Sequence, residues 1–191
     1  MRTYARFLAY ILFNNAKASE GLSIEGFEVV PQDLVPEMWS EYSEFFGKSR
    51  GHCPHDQMNY EEDTFAAACC DQDLIKFVFY VHGLPAGFAV VAKPGYMGKA
   101  PWVSPTFFPN DTVYLTVLMI YKKYRGLDYF VHFIDHVIKE VTTRWPRHGC
   151  AFDIPNKKKM IAYLIMWRIR RANIRARQVG SQDYYVGRPI G

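Results

Sequence analysis

The order of elements along the chain predicts an α/β or α+β fold, a sheet with helices on its faces. Two observations carry this reading. Apolar β-rich runs alternate with amphipathic stretches in the order β, α, α, β, β, β, α, β, α, β. The composition is 49% apolar and 16% aromatic, enough for a core and far from that of a disordered chain. With 191 residues and no internal repeat or low-complexity linker, one domain is expected.

The elements follow from local patterning. FEVVPQD (27–33) reads as a strand ending at a Pro-containing turn, and LVPEMWSEYSEFFGK (34–48) has apolar residues at helical intervals. RGHCPHDQMN (50–59) is turn-rich, and YEEDTFAAACC (60–70) reads as a helix. IKFVFYVHG and GFAVVAKPG form a hairpin, with its turn placed over Gly83–Gly87. A Gly/Pro-rich loop follows, then the buried-type strand VYLTVLMIY (113–121) and an amphipathic helix. HGCAFDI (148–154) is a short strand, 155–173 a helix, and RARQVGSQDYYVG (175–187) a final strand or hairpin.

No apolar run reaches membrane-spanning length. Arg2, Arg6 and the apolar Phe7–Phe13 run imitate a short signal peptide. At the lower length limit for such a signal, the run reads instead as a mature strand or short helix. Cys53, Cys69, Cys70 and Cys150 have no framework spacing, which points to a reducing compartment and a cytoplasmic location. Charge is split along the chain. Residues 20–63 carry eleven acids against Lys48 and Arg50, whereas residues 144–177 carry ten bases against Asp153. Such a chain can offer one surface to cations and another to anions.

Two stretches resemble metal-binding patterns, and neither is expected to hold a metal. His132, Asp135 and His136 match H-x-x-E-H with Asp for Glu. At about 100° per residue, however, both histidines fall on the polar face of their helix, opposite Phe133, Ile134 and Val137. His52, Cys53 and His55 with Cys69 or Cys70 match no standard zinc spacing. The same stretch offers a stronger signal just upstream. A long apolar strand leads into the basic, glycine-containing KKYRGLD loop and then into a helix. Free N–H groups and the dipole at such a helix start attract anions.

With those residues in view, the arrangement resembles the GNAT superfamily of acyl-CoA-dependent N-acyltransferases. In that family a Gln/Arg-x-x-Gly-x-Gly/Ala loop holds the CoA pyrophosphate, and Lys123, Tyr124, Arg125, Gly126, Leu127 and Asp128 occupy the matching positions. Val117, Leu118 and Met119 match the strand whose backbone pairs with the pantetheine arm and polarises the thioester carbonyl. The resemblance implies a central mixed, mostly antiparallel sheet flanked by helices, over residues 25–191, with an extra N-terminal arm over residues 1–24. It implies acetyl-CoA as acyl donor and a cationic amine as acceptor, whose neutral form attacks the acyl thioester directly. Asn156, with Tyr163 seven residues on, keeps the family's spacing for the phenol that protonates the departing thiolate. A second alignment, anchored on residues 175–187, puts Ile169 there instead. Glu61, Glu62 and His82 are the candidate bases.

One position departs from the family's pattern. Asp128 stands where Gly or Ala lets the backbone approach the pyrophosphate. A carboxylate there repels the anion, and Asp can cap its own helix with the amides a phosphate would use. Two readings follow: an active N-acyltransferase, or a catalytically inactive GNAT-fold protein that serves structure or interaction, such as a phage virion component. The aromatic-rich N-terminal arm would suit docking on a protein partner. Nucleic-acid binding through Arg168, Arg170, Arg171, Arg175 and Arg177 is a third, weaker reading, with no recognised motif beside it.

Overall fold

The computed structural model describes residues 25–47, 62–96, 111–125, 127–153, 174–179 and 184–189. The expected N-terminal arm, the GHCPHD loop, the Gly/Pro-rich loop from residue 97 and the expected helix over 155–173 lie outside the described residues. Seven strands are described: β1 (Phe27–Pro31), β2 (Leu74–Val81), β3 (Leu84–Ala92), β4 (Thr112–Ile120), β5 (Gly149–Asp153), β6 (Ile174–Val179) and β7 (Tyr184–Pro189). They form one sheet in the order β1-β2-β3-β4-β5-β7-β6. β4 and β5 pair in parallel and every other neighbouring pair is antiparallel. The helices are α1 (Trp39–Gly47), entered through a 3₁₀ turn over Pro36–Met38, α2 (Glu62–Cys70) and α3 (Leu127–Arg144).

The sheet separates two apolar layers, as alternation along β2 requires. Val78, with Phe88 and Met119 from neighbouring strands, faces Met38, Tyr42 and Phe65 of the α1 and α2 side. Phe77 and Phe79 face the other way, where Phe133 and Val137 of α3 cover them. The Phe79 and Phe133 rings stack 5.4 Å apart. Because both faces are covered, β2 to β4 read as near-continuous apolar runs rather than alternating ones. Among the described residues one buried charge enters the α1 and α2 layer. Lys76 is 4% exposed, and its Nζ donates to Asp33 Oδ1 at 3.0 Å and to the Asp71 carbonyl at 2.5 Å. This ties the segment after β1 and the end of α2 to the sheet. A buried ammonium is tolerated only when satisfied in this way.

The β2–β3 turn is tighter than the sequence suggests. β3 already begins at Leu84, so the turn is the pair His82–Gly83, both at positive φ (50° and 75°). That is the geometry that suits a two-residue hairpin loop. Gly87, expected to close the turn, lies inside β3 opposite Ile120. A Cβ there would sit 2.3 Å from the Met119 carbonyl oxygen, so glycine lets β3 and β4 approach.

The two α3 histidines also depart from expectation, being half-buried rather than turned to solvent. The His132 ring centre lies 5.8 Å from that of Phe27, and the His136 ring meets Phe77 edge-on at 6.3 Å. Helical phase gave the direction of the core correctly, but β1 and β2 extend beyond the helix flank and their aromatic rings reach its sides. Burial lowers the His136 pKa below 6.5; the nearby Glu140 opposes that shift and Lys139 adds to it.

Two outcomes are expected. Gly87→Ala will destabilise the fold by about 1–3 kcal/mol, measured by urea unfolding, because the added Cβ meets the Met119 carbonyl, backbone that cannot swing aside. For His136, the depressed folded pKa means that the unfolded chain takes up the proton first. Stability is therefore present in full above pH 6.5 and falls as pH drops below it. His136→Gln should flatten that part of a stability-versus-pH curve.

Candidate functional site

The site is built on an irregularity in β4. Val90 pairs with Val117 but Val91 pairs with Leu115, so Thr116 is an extra residue on β4. Its Oγ1 donates to the Val90 carbonyl at 3.0 Å, anchoring the bulge to β3. On the other edge, β5 pairs with β4 only from Thr112 to Leu115. Among the described residues no strand pairs with that edge beyond the bulge. The Tyr121 N–H donates toward β3, to the Ala86 carbonyl at 2.8 Å. Alternation then turns the polar groups of Leu118 and Ile120 to the open edge. Arg125 Nε takes one of them, donating to the Ile120 carbonyl at 3.1 Å. The result is a parallel pair that parts at a bulge and leaves a short length of polar strand edge, where an extended ligand can add hydrogen bonds.

The open edge leads to the basic loop. Lys122 to Tyr124 form a 3₁₀ turn, with Tyr124 N–H donating to the Tyr121 carbonyl at 2.8 Å. Lys122 and Lys123 are exposed, and Lys123 Nζ lies 5.2 Å from the Tyr124 ring centre. α3 begins at Leu127, so Asp128 is its second residue and not its N-cap, contrary to one expectation from sequence. Its carboxylate is exposed and makes no hydrogen bond or ion pair among the described residues. The first-turn amides are therefore not consumed by this side chain.

Several groups went unnoticed in the sequence. Tyr121, just after β4, is 9% exposed, and its phenol is pushed up to about 12 by burial, then by Glu41 and by Tyr80. Glu41 belongs to the first turn of α1, and Tyr80 Oη accepts from Gln32 Nε2 at 2.6 Å. These residues come from β1's exit, α1, β2 and the end of β4, so only the folded chain brings them to one face. The sole local signal is a tyrosine closing an otherwise apolar strand.

The predicted site residues divide as follows. Val117, Leu118 and Met119 lie on β4, and Val117 and Met119 are buried in the α1 and α2 layer. Lys123, Tyr124, Arg125, Leu127 and Asp128 lie in the loop and at the helix start. Glu62 is exposed in the first turn of α2, and His82 is exposed in the hairpin turn, its N–H donating to the Gly26 carbonyl at 2.8 Å. Among the described residues no hydrogen bond or ion pair joins either to β4, and His82 takes its positive φ from the hairpin turn. Glu61, Gly126, Asn156 and Tyr163 lie outside the described residues. Among the described residues, no helix is long and apolar enough to cross a membrane.

No protein-family model matches the sequence, and no curated protein matches it. Solved structures do match. A dodecameric spermidine N-acetyltransferase from Vibrio cholerae superposes with a TM-score of 0.52 at 10% identity, over 86% of this chain and 92% of its own. The aminoglycoside acetyltransferase AAC(6')-Ib, solved with coenzyme A and kanamycin, gives 0.54 at 12% identity over 84% and 95%. An acyl-CoA N-acyltransferase from Pseudomonas aeruginosa gives 0.55 at 12% identity over 86% and 99%. Shared fold at such low identity, together with the β4 bulge and the parting of β4 from β5, makes this a divergent GNAT fold.

Proposed function

We propose that the protein is an acyl-CoA-dependent N-acyltransferase that moves an acetyl group from acetyl-CoA to a primary amine. The observation that carries this reading is the open β4 edge beyond Thr116, running toward the basic loop and the start of α3. The polar groups of Leu118 and the Ile120 N–H would pair with the amide-bearing pantetheine arm, as a peptide pairs with a sheet edge. Lys122, Lys123, Arg125 and the first-turn amides of α3 would receive the diphosphate, with Gly126 and Leu127 forming the closest approach.

In this reading the amine, once neutral, attacks the thioester carbonyl carbon. The C–N bond forms, the C–S bond breaks, and the departing thiolate takes a proton. Products are the amide and the CoA thiol. Holding both substrates at one cleft supplies much of the rate. Tyr163, seven residues after Asn156, is the proposed proton donor to sulfur, and Glu61 or Glu62 the proposed acceptor of the amine proton. The acids of residues 20–63 favour a cationic acceptor; the matched structures include enzymes named for spermidine and for aminoglycosides. A reducing, cytoplasmic setting fits the cysteine usage.

The alternative, an inactive GNAT-fold interaction protein, rests on Asp128, whose charge sits within the first turn where the diphosphate would lie. In it the N-terminal arm docks on a protein partner. Calorimetric titration of acetyl-CoA decides between the two. The wild type is expected to bind at about micromolar Kd, more weakly as salt rises. Asp128→Gly should tighten binding about two- to fivefold, the worth of one unfavourable charge at a helix start. Binding by the Gly variant alone would overturn the enzyme reading and leave the interaction protein.

A further inference from the structure

Side-chain packing holds β4 on both sides of its bulge and leaves the bulge itself to one hydroxyl. Tyr114, Val117 and Met119 lie in the α1 and α2 layer, whereas Leu115, Leu118 and Ile120 pack toward α3. Alternation along the strand therefore breaks once, between Leu115 and Val117, where Thr116 is the extra residue. Thr116 is half-buried, and its Oγ1 donates to the Val90 carbonyl of β3 at 3.0 Å. Side chains and backbone groups alternate together with period two, so one extra residue sends every later N–H and C=O to the opposite edge. In the register that Leu115 keeps with Val91, Val117 and Met119 would face the open edge; in the observed register Leu118 and Ile120 do so. Arg125 occupies the Ile120 carbonyl. The Leu118 N–H is then the first outward donor beyond the bulge, close to the point where β5 parts from β4.

We propose that Thr116 is a positioning residue for the acyl group: its hydroxyl, held on the Val90 carbonyl, fixes the bulge so that the Leu118 N–H meets the thioester carbonyl oxygen. The proposal rests on the acyltransferase reading. A donor stabilises the negative charge that grows on that oxygen, as the amine adds, only if it is already aimed there. A side chain can be re-aimed by changing rotamer, but a backbone N–H moves only with its strand. Packing decides which layer Val117 and Leu118 enter, yet a bulge has backbone angles of its own and a bend that packing does not specify. The Thr116 hydroxyl ties down that freedom. The rest of the donor draws on other groups. The Leu118 carbonyl and the Ile120 N–H remain for the amides of the pantetheine arm, and the basic loop remains for the diphosphate. Loss of the hydroxyl should therefore touch the polarisation of the carbonyl and spare the affinity for the donor.

Acetyl-CoA isotopically labelled at its thioester carbonyl is the probe, added to the full chain without an acceptor amine. Difference infrared spectra should show the bound carbonyl stretch below that of the free thioester, the mark of a hydrogen bond to its oxygen. Thr116→Val keeps the shape of the side chain and removes the hydroxyl. It should bind acetyl-CoA within about twofold of the wild type by calorimetry and lose most of the infrared shift. Thr116→Ala, a second variant without the hydroxyl, should behave in the same way. Thr116→Ser restores the hydroxyl and should recover the shift, which a merely structural role for the threonine would not require. A full shift in Thr116→Val or Thr116→Ala overturns the role, and so does an equal loss in Thr116→Ser. Failure of the wild type to bind acetyl-CoA is a different result: it removes the acyltransferase reading, and the positioning role with it.

Discussion

β4 is held differently on its two edges, and the candidate site follows from that difference. Along β3 it is paired from Tyr114 to Ile120, with one residue, Thr116, squeezed out of register. Along β5 it is paired only up to Leu115. A strand fixed on one side can leave polar backbone open on the other without losing its place in the sheet. The bulge adds local twist and coincides with the point where β5 departs. The Thr116 hydroxyl, bound to the Val90 carbonyl, holds the irregularity in place. Gly87 acts at the far end of the same pair, letting β3 come close to Met119 and Ile120.

That open edge is tolerable because the rest of the sheet is buried on both faces. Phe77, Phe79 and Phe133 on one side, and Tyr42, Phe65 and Phe88 on the other, are all nearly inaccessible to water. Each such side chain contributes on the order of 1.5–3 kcal/mol of burial. The two layers have different tasks. The α3 layer fixes the helix whose first turn meets the basic loop. The α1 and α2 layer carries Glu41, Tyr80 and Tyr121 and is tied down by Lys76 between Asp33 and the Asp71 carbonyl. At the end of β4, Arg125 bridges back from the basic loop to the Ile120 carbonyl.

Much of this was legible in the residues, for reasons of range. VYLTVLMIY followed by KKYRGLD and an amphipathic run shows strand, loop and helix locally, because apolar period and turn chemistry act within a few residues. The same local reasoning misplaced the hairpin turn, since Gly83 and Gly87 both look like turn residues. It also turned His132 and His136 to solvent, because helical phase says nothing of how far a sheet reaches around a helix. Asp128 could be read as a cap only while the helix start was open; with Leu127 already helical, it becomes an uncommitted charge in the first turn.

The sequence by itself determined the element types of the described residues and the basic loop at the end of a long strand, all set by side-chain period and backbone preference over short spans. The tertiary structure alone decided that Thr116 is out of register, that β5 leaves β4 after Leu115, and that Gln32, Tyr80 and Tyr121 share a face. Register and convergence are non-local quantities. They depend on which strand pairs with which and at what offset, and the residues that meet there are separated by up to eighty-nine positions, from Gln32 to Tyr121. No pattern within a short window carries that information.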